Sequence, residues 1–303
     1  MNLNTGGTFI QTDANRTSMK PVRHEKLSTR DHSRDGAGLR YVYPVVSRRA
    51  GGVSVGINLN PNNACNWRCI YCQVPDLKRG SAPPIDLDLL GKELRQFVAD
   101  LVLGDYMEQH VPEEARRLAD IAISGNGEPT SAPELPSIVG LIGEVLKEFG
   151  LSGRIKARLI TNGSLVNRDH VQRGIESLGQ IGGEVWFKLD AGTRAGFARV
   201  NDVHLEPERV LRNLQVCARL CPTWVQTCVF TLDGNGPTEE ELAAYLGLLA
   251  QVPPSAVEGV LLYSLARPSL QPEALRLGPL PLPEMERIAQ RIRSLGLTVT
   301  VSP

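Results

Sequence analysis

Three cysteines lie close together in the segment Cys65-Asn-Trp-Arg-Cys69-Ile-Tyr-Cys72. Three thiolates from one short loop can cap one face of a metal cluster. A closed tetrahedral zinc site needs a fourth protein ligand, and the neighbouring sequence offers none. A cluster that only three cysteines hold leaves one iron open to a small molecule. The spacing therefore predicts a metal cluster with an open coordination position.

A glycine-rich turn forms a second candidate site, in the segment Ser124-Gly-Asn-Gly-Glu128-Pro-Thr130. Its two glycines let the backbone approach a ligand closely, and the carboxylate of Glu128 can pair with an ammonium group. Taken alone, such a segment is more typical of a tight turn between a strand and a helix. Its position relative to the cysteines decides between the two interpretations.

Two charged residues, Lys188 and Asp190, are separated by one apolar residue in a strand-like segment. Because side chains alternate along a strand, both point to the same side of a sheet. We expect that side to be the lumen of a barrel. A buried structural ion pair is one interpretation. Charges near the C-terminal ends of barrel strands more often serve a site, which favours ligand binding.

Strand-like and helix-like segments alternate along most of the chain, and they must position these residues. The strand candidates are short, apolar and bounded by turn residues: residues 53–59, 121–124, 156–161, 185–190, 224–231 and 259–263. The helix candidates are amphipathic: residues 87–103, 135–149, 169–177, 206–220, 238–249 and 282–295. Such alternation predicts an α/β fold with a parallel sheet. Six units favour a partial (βα)6 TIM-like barrel over a closed eightfold barrel, with reactive groups at the C-terminal strand ends.

The pattern Cys-x3-Cys-x2-Cys, with Tyr71 before the last cysteine, resembles the signature of the radical S-adenosylmethionine superfamily. The resemblance implies that Cys65, Cys69 and Cys72 bind a [4Fe-4S] cluster at the C-terminal strand ends. It also implies that the open iron binds S-adenosylmethionine, which one electron cleaves to a 5′-deoxyadenosyl radical. The expected enzyme abstracts hydrogen from a substrate that the sequence does not identify.

The same resemblance implies a set of cofactor contacts. The turn at residues 124–130 lies one β/α unit after the cysteines and resembles the motif that holds the amino group of S-adenosylmethionine, although Asn126 stands where a glycine is common. Lys188 would contact the cofactor carboxylate and Asp190 the ribose. The candidate cofactor-binding residues are Gly125, Asn126, Gly127, Glu128, Thr161, Asn162, Lys188, Asp190 and Asn201.

Within the superfamily, residues 41–267 resemble most the group that contains the wyosine-type tRNA-modifying enzymes. The segments that carry this resemblance are Gly56-Ile-Asn58-Leu59-Asn60-Pro61, Cys72-Gln73, Ser124 to Thr130, Leu159-Ile-Thr-Asn-Gly-Ser164 and Lys188-Leu-Asp-Ala-Gly192. The sequence departs from that group in lacking a recognisable flavodoxin-like domain or tRNA-binding extension. We therefore expect a separate electron donor, a reduced flavodoxin or ferredoxin. A tRNA-modifying or protein-activating relative is one alternative, and a non-catalytic iron-sulfur protein is another.

The remaining cysteines have a different setting. Cys217 and Cys221 lie on one face of a predicted helix, and Cys228 shares its strand parity with Gln226. Buried cysteines are common as small hydrophobic residues, and the spacing of these three does not suit a second cluster. Cys228 is nonetheless a candidate catalytic residue, as a hydrogen-atom donor to a substrate radical.

The amino-acid composition indicates the broad class of protein. The 303 residues are 42% hydrophobic and 22% charged, with 33 basic and 33 acidic side chains. This balance does not indicate a nucleic-acid partner, although a local basic patch would be compatible with one. The sequence lacks an apolar run long enough for a membrane span and lacks a signal core, so we expect a cytoplasmic protein. Residues 1–40 are poor in large apolar side chains and predict a mobile N-terminal arm before a barrel domain at 41–303.

Overall fold

A computed structural model of the chain describes residues 27, 38–47 and 51–303. The strands in this part of the chain are β1 (Val42–Ser47), β2 (Gly52–Asn58), β3 (Ala64–Cys65), β4 (Lys78–Arg79), β5 (Leu118–Ser124), β6 (Lys156–Thr161), β7 (Glu184–Lys188), β8 (Thr223–Cys228), β9 (Phe230–Leu232), β10 (Gly259–Tyr263), β11 (Leu277–Pro279) and β12 (Val299–Ser302). The α-helices are α1 (Leu87–Val102), α2 (Tyr106–His110), α3 (Leu135–Glu148), α4 (Asp169–Gln180), α5 (Arg194–Asn201), α6 (Pro207–Leu220), α7 (Glu239–Leu249) and α8 (Leu282–Arg293).

Eight of these strands form one sheet in the order β1-β2-β5-β6-β7-β8-β10-β12. The strands from β2 to β12 are parallel, and β1 pairs antiparallel with β2 at one edge. The sheet curls into a half-barrel with helices packed on it. The prediction of an α/β partial barrel is therefore confirmed, and the six predicted strands are its six central strands.

The sheet owes its two different faces to alternation along each strand. Val55 and Ile57 on β2 and Phe187 on β7 are fully buried in the apolar core, which lies between the sheet and the helices. Their strand neighbours Ser54 and Lys188 face the lumen instead. One side of the sheet therefore builds the core, and the other side presents polar groups to a cavity.

Local sequence explains where the covering helices begin. The carboxylate of Asp86 accepts a hydrogen bond from the amide of Leu89 at 3.0 Å and caps α1. Thr238 and Glu241 form a capping box at the start of α7. All six predicted helices begin within one residue of their observed positions, and among them α1 and α7 are capped by a side chain.

Several features differ from the sequence-based expectations, and the edge strands β1 and β12 and the short helix α2 were not predicted. The predicted strand at 224–231 ends at Cys228, and β9 leaves the main sheet to pair antiparallel with β11. The helix α5 was not predicted, since Gly196 in its first turn lowers its helix propensity. Residues 266–283, whose proline-rich composition predicts a loop, contain the strand β11.

Most of the predicted arm at residues 1–40 lies outside the described residues, so the division at residue 40 stays a prediction. Within the described part, the backbone amide of Leu27 donates to the carbonyl of His110 at 2.7 Å. No helix of the described residues is long and apolar enough to cross a membrane.

Candidate active site

The cysteine loop at residues 65–72 is attached on one side to the end of α5. The amide of Arg68 donates to the carbonyl of Asn201 at 3.1 Å, and the amide of Ile70 donates to the carbonyl of Val200 at 2.9 Å. These backbone bonds fix the middle of the loop, where Cys69 lies. The unpredicted helix therefore has a direct part in positioning the thiols.

The segment that follows β10 holds the other side of the loop. The hydroxyl of Ser269 donates to the carbonyl of Ile70 at 2.7 Å, and the amide of Leu270 donates to the carbonyl of Cys72 at 2.9 Å. Arg68 forms a bidentate ion pair with Glu273, with N–O distances of 2.8 and 2.9 Å. The loop is thus held between two parts of the chain that are far apart in sequence.

Polar groups touch two of the three thiols directly. The sulfur of Cys65 accepts from the amide of Trp67 at 3.4 Å, and the sulfur of Cys69 accepts from the side-chain amide of Asn201 at 3.2 Å. Burial raises the pKa of the Cys65 and Cys69 thiols to about 12. A bound cation is what can hold such buried thiols as thiolates. In the described residues, no group of three or more His, Cys, Asp or Glu side chains meets the geometry for holding a metal ion, so the cluster ligands stay a prediction.

The glycine-rich turn packs against the start of the cysteine loop. The side-chain oxygen of Asn58 accepts a hydrogen bond from the amide of Asn126 at 3.0 Å. A Cβ atom on Gly127 would lie 2.0 Å from the carbonyl oxygen of Ala64, which is far too close for any side chain. Gly125 has a φ of +137°, a conformation that other residues rarely adopt. The two glycines therefore allow the turn and the loop to touch.

Glu128, the acidic residue of this turn, is buried and bonded on both carboxylate oxygens. Its Oε1 accepts from the amide and hydroxyl of Thr130 at 3.1 and 2.5 Å and from the hydroxyl of Thr161 at 2.5 Å. Its Oε2 accepts from the amide of Asn162 at 2.7 Å. Burial raises the pKa of Glu128, although these hydrogen bonds oppose that shift. The predicted Thr161 and Asn162 thus meet Glu128, and Oε2 retains capacity for another donor.

Lys188 at the end of β7 faces the lumen, as predicted, whereas Asp190 lies two residues beyond the strand, with its Oδ2 3.9 Å from Nζ of Lys188. Lys188 donates to the hydroxyl of Tyr71 at 2.8 Å and to the hydroxyl of Tyr263 at 3.3 Å. The hydroxyl of Tyr71 in turn donates to Asp190. Burial lowers the pKa of Lys188, but Asp190 and, to a smaller extent, Tyr263, Cys69 and Cys228 together outweigh burial, and the net shift is upward. The ammonium group is therefore held charged beside the cysteine loop.

The side chain of Asp190 contacts several of the predicted site residues. Its side chain is fully buried, and Oδ2 accepts from the side-chain amide of Asn201 at 2.9 Å. Its Oδ1 accepts from the backbone amide of Cys228 at 3.0 Å. Asp190 and Cys228 line a second, more apolar cavity of about 180 Å³ between the ends of β7 and β8. Cys228 is thus close to the predicted cofactor residues, but it does not line the cavity that contains the three cysteines.

The main cavity has a volume of about 300 Å³ and occupies the lumen. The predicted site residues on its wall are Cys65, Cys69, Cys72, Gly125, Asn126, Gly127, Glu128, Thr161, Asn162 and Lys188. The cysteine loop and the glycine-rich turn therefore open into one space.

A charged network inside the lumen was missed by the sequence analysis. Arg158 donates to Asp120 and, at 2.6 Å, to Glu184, and its guanidinium lies 4.8 Å from the ring centroid of Trp186. The indole N–H of Trp186 donates to Glu184 at 2.9 Å. Strand alternation could have found these residues, because Glu184 and Trp186 share the parity of Lys188.

Comparison with known proteins gives a consistent result. A family model described as the radical SAM superfamily, where SAM is S-adenosylmethionine, matches residues 59–249. A UPF0026 protein of Helicobacter pylori is 28% identical over 179 residues, which cover 57% of this chain and 51% of that protein. A UPF0026 protein of Methanocaldococcus jannaschii is 28% identical over 162 residues, 53% of this chain and 43% of that protein. The chain thus spans about half the length of the curated relatives it matches.

Two solved structures have a similar fold. A radical SAM methyltransferase from Sphaerobacter thermophilus superposes with a TM-score of 0.54 at 14% identity, covering 86% of this chain and 68% of that one. A structure of TYW1 with a lysine-pyruvate adduct gives a TM-score of 0.51 at 17% identity, covering 81% and 74%. The family match spans more than half of the sequence, and the chain belongs to the radical SAM superfamily of enzymes, which use a [4Fe-4S] cluster and S-adenosylmethionine.

Proposed function

We propose that this enzyme cleaves S-adenosylmethionine reductively and abstracts a hydrogen atom from a substrate held in the lumen. One observation carries the proposal: the three cysteines and the turn at residues 124–130 line the same cavity. Cluster and cofactor held by these residues would therefore supply their radical chemistry to a substrate in the same cavity.

The residues around the cavity suit both groups chemically. Three thiols on one loop match a cluster with one open iron. The side-chain oxygens of Asn126 and Asn201 are buried and have no hydrogen-bond partner in the described residues. Unpaired buried acceptors are rare and point to a donor that is missing from the chain itself. The ammonium group and the ribose hydroxyls of S-adenosylmethionine are donors of this kind.

Each residue then has a specific role. Cys65, Cys69 and Cys72 hold the cluster, which together with S-adenosylmethionine supplies a 5′-deoxyadenosyl radical. Glu128 and the turn bind the ammonium end of the cofactor through charge-assisted hydrogen bonds. Lys188 donates to the cofactor carboxylate with the proton that its two tyrosine contacts leave free.

The electron for cleavage comes from a separate carrier, a reduced flavodoxin or ferredoxin. The support is the partial exposure of Arg68 in the cysteine loop and of Arg79 on β4, which donates to the carbonyl of Asn66 in that loop. Their side chains are 29% and 46% exposed. A carrier that docks over these residues would come close to the predicted cluster. Cys228 remains a candidate hydrogen-atom donor, and for a donor role a substrate radical would have to reach the second cavity.

Formation of 5′-deoxyadenosine by anaerobically reconstituted, dithionite-reduced protein tests the proposal. We expect slow formation even without substrate, because cleavage depends on the cluster and the cofactor alone. The matched control is Cys69→Ala. If the unchanged protein gives no more 5′-deoxyadenosine than this variant with several electron donors, the chain is a non-catalytic iron-sulfur protein instead.

A further inference from the structure

Gln226 has an unusual position in the lumen. It lies on β8 beside Lys188 in the strand register, lines the main cavity and is 2% exposed. Its Nε2 is buried and has no hydrogen-bond partner in the described part of the chain. An unpaired buried carboxamide is unfavourable, and an apolar side chain of similar size would avoid that cost. The position of Gln226 therefore favours a ligand that accepts a hydrogen bond from its side-chain amide.

The charges around Gln226 restrict what this ligand can be. The cation nearest in register, Lys188, faces Asp190, and Arg158 lower in the lumen is paired with Asp120 and Glu184. Because the proposed function already assigns the remaining proton of Lys188 to the cofactor carboxylate, a second carboxylate would lose its hydration without gaining an ion pair with Lys188 or Arg158. The group near Gln226 that lacks a hydrogen-bond partner is its own side-chain amide. Because this amide is neutral, it favours a neutral ligand.

The shape of the cavity adds a second restriction. Five aromatic residues line the main cavity together with Gln226: Tyr43, Trp67, Tyr71, Trp186 and Tyr263. The ring of Tyr43 reaches across Gly56, where a Cβ atom would lie 2.2 Å from a ring carbon. Aromatic walls of this kind favour flat groups.

We propose that Gln226 is a substrate-binding residue and that the lumen takes a neutral, planar amide group of the substrate. A carboxamide offers a donor beside an acceptor, and it pairs with a ligand edge that carries a carbonyl oxygen next to an N–H. This inference rests on the proposed function, because it concerns the substrate of the same cavity.

Binding of small probes to the reconstituted enzyme tests this proposal. Three probes of similar size separate the chemistry: 2-pyrrolidinone has a carbonyl beside an N–H, γ-butyrolactone has the carbonyl alone, and isobutyrate is a carboxylate. We expect 2-pyrrolidinone to bind most tightly to the unchanged protein, as measured by ligand-observed NMR. In Gln226→Leu and in Gln226→Glu its affinity should fall at least tenfold, because neither residue can donate to the carbonyl.

Thermal unfolding gives a readout that needs no ligand. Gln226→Leu removes the unpaired amide, so we expect its Tm to rise by about 2–4 °C, whereas a structural role would lower it. The matched control is Gln251→Leu at an exposed position two residues after α7, which changes the same groups at the surface. If the leucine variant does not fold, Gln226→Glu decides the binding test, and failure of both variants to fold would count against the proposal.

The proposal is overturned if 2-pyrrolidinone fails to bind, if it binds no better than isobutyrate, or if its affinity is within twofold of the original in both Gln226 variants. A fall of several degrees in the Tm of Gln226→Leu would also overturn it. None of these measurements requires cleavage of S-adenosylmethionine. Their failure is therefore distinguishable from failure of the proposed function, which 5′-deoxyadenosine formation by the unchanged protein decides.

Discussion

The side-chain amide of Asn201 donates a hydrogen bond to the sulfur of Cys69 at 3.2 Å. The same nitrogen donates to Asp190 at 2.9 Å, so one amide connects the cysteine loop to the end of β7. Hydrogen bonds to sulfur ligands orient them and tune the metal that they hold. Asn201 is therefore more than the possible cofactor contact that the sequence indicated.

Replacement of Asn201 should weaken the cluster. We expect Asn201→Ala to lose iron to a chelator about 10–100 times faster than the unchanged protein, as is typical for loss of a group that supports a metal ligand. The matched control is Asn235→Ala, whose exposed side chain donates to the carbonyl of Asp233 at 3.1 Å and touches no thiol. Equal rates of iron loss in the two variants would contradict a role for the Asn201 amide.

Removal of the three loop thiols should abolish the cluster. Replacement of Cys65, Cys69 and Cys72 together by alanine should remove the brown chromophore and most of the iron after reconstitution. Cys217→Ala provides the control, because Cys217 is a buried cysteine of the apolar core and should leave the iron content unchanged. Retention of four irons per chain in the triple variant would show that other ligands hold the cluster.

The sequence predicted the parts of the site that depend on local pattern. Strand alternation correctly put Lys188 on the face of the sheet that lines the lumen, and the periodic pattern placed the helix starts within one residue. It could not predict the ion pair of Arg68 with Glu273, which are 205 positions apart. Such contacts depend on how distant segments fold back on each other, which no local pattern records.

The polar lumen illustrates the same limit. In the sequence, Arg158 is a polar residue within the predicted strand that corresponds to β6. Its partners Asp120 and Glu184 lie on the neighbouring strands. Their pairing follows from the strand register. The sequence therefore indicated a polar face of the sheet without indicating which charges would neutralise each other.

Gly127→Ala should damage both halves of the site. The new Cβ would collide with the carbonyl of Ala64 at the start of the cysteine loop, and backbone cannot move aside cheaply. We expect a loss of about 1–3 kcal/mol in the free energy of unfolding, together with weaker binding of S-adenosylmethionine.

Gly140→Ala in α3 is the control, because nothing lies within 4 Å of its Cβ position. That variant should gain about 0.5–1 kcal/mol. Equal stability of the two variants, measured by urea unfolding, would contradict the close approach.

The ion pair of Arg68 with Glu273 should make stability depend on pH. Arg68 holds the pKa of Glu273 below its ordinary value. A carboxyl whose folded-state pKa is lowered stabilises the fold above its unfolded pKa, and this contribution is lost as the pH falls through the folded value. We expect Glu273→Gln to cost about 1 kcal/mol or less at pH 7, since both side chains are partly exposed.

Below the folded-state pKa of Glu273, the variant and the unchanged protein should have the same stability. Urea unfolding from pH 7 down to pH 3 measures this convergence. Glu286→Gln is the control, because Glu286 pairs with Arg293 on exposed α8, far from the cysteine loop in sequence. A cost of Glu273→Gln that does not change over this pH range would exclude the ion pair as its cause.

Replacement of Asp190 should separate its structural contacts from cofactor binding. In the unchanged protein Asp190 compensates the buried ammonium of Lys188 and accepts hydrogen bonds from Tyr71, Asn201 and the amide of Cys228. We expect Asp190→Ala to lose about 3–5 kcal/mol in the free energy of unfolding, because it leaves a buried cation without its carboxylate. The double variant Asp190→Ala/Lys188→Met should recover much of this loss, since the unpaired charge is then absent.

Cofactor affinity gives the second readout, and a lost ribose contact should cost about 1.5–3 kcal/mol of binding free energy. Unchanged affinity of Asp190→Ala in a calorimetric titration would mean that Asp190 is only structural.

The pH dependence of Asp190→Ala provides an independent check on the same charge pair. Burial acts to lower the pKa of Lys188, and Asp190 is the largest opposing influence. Without Asp190, burial should dominate and bring the folded-state pKa of Lys188 below its unfolded value. The unfolded state then binds more protons, so the stability of the variant should rise with pH up to the unfolded pKa of lysine, near 10.4. The Lys188→Met double variant has no such ammonium and serves as the control. If urea unfolding of Asp190→Ala and of the double variant shows the same pH dependence between pH 7 and pH 10, Lys188 does not depend on Asp190 for its charge.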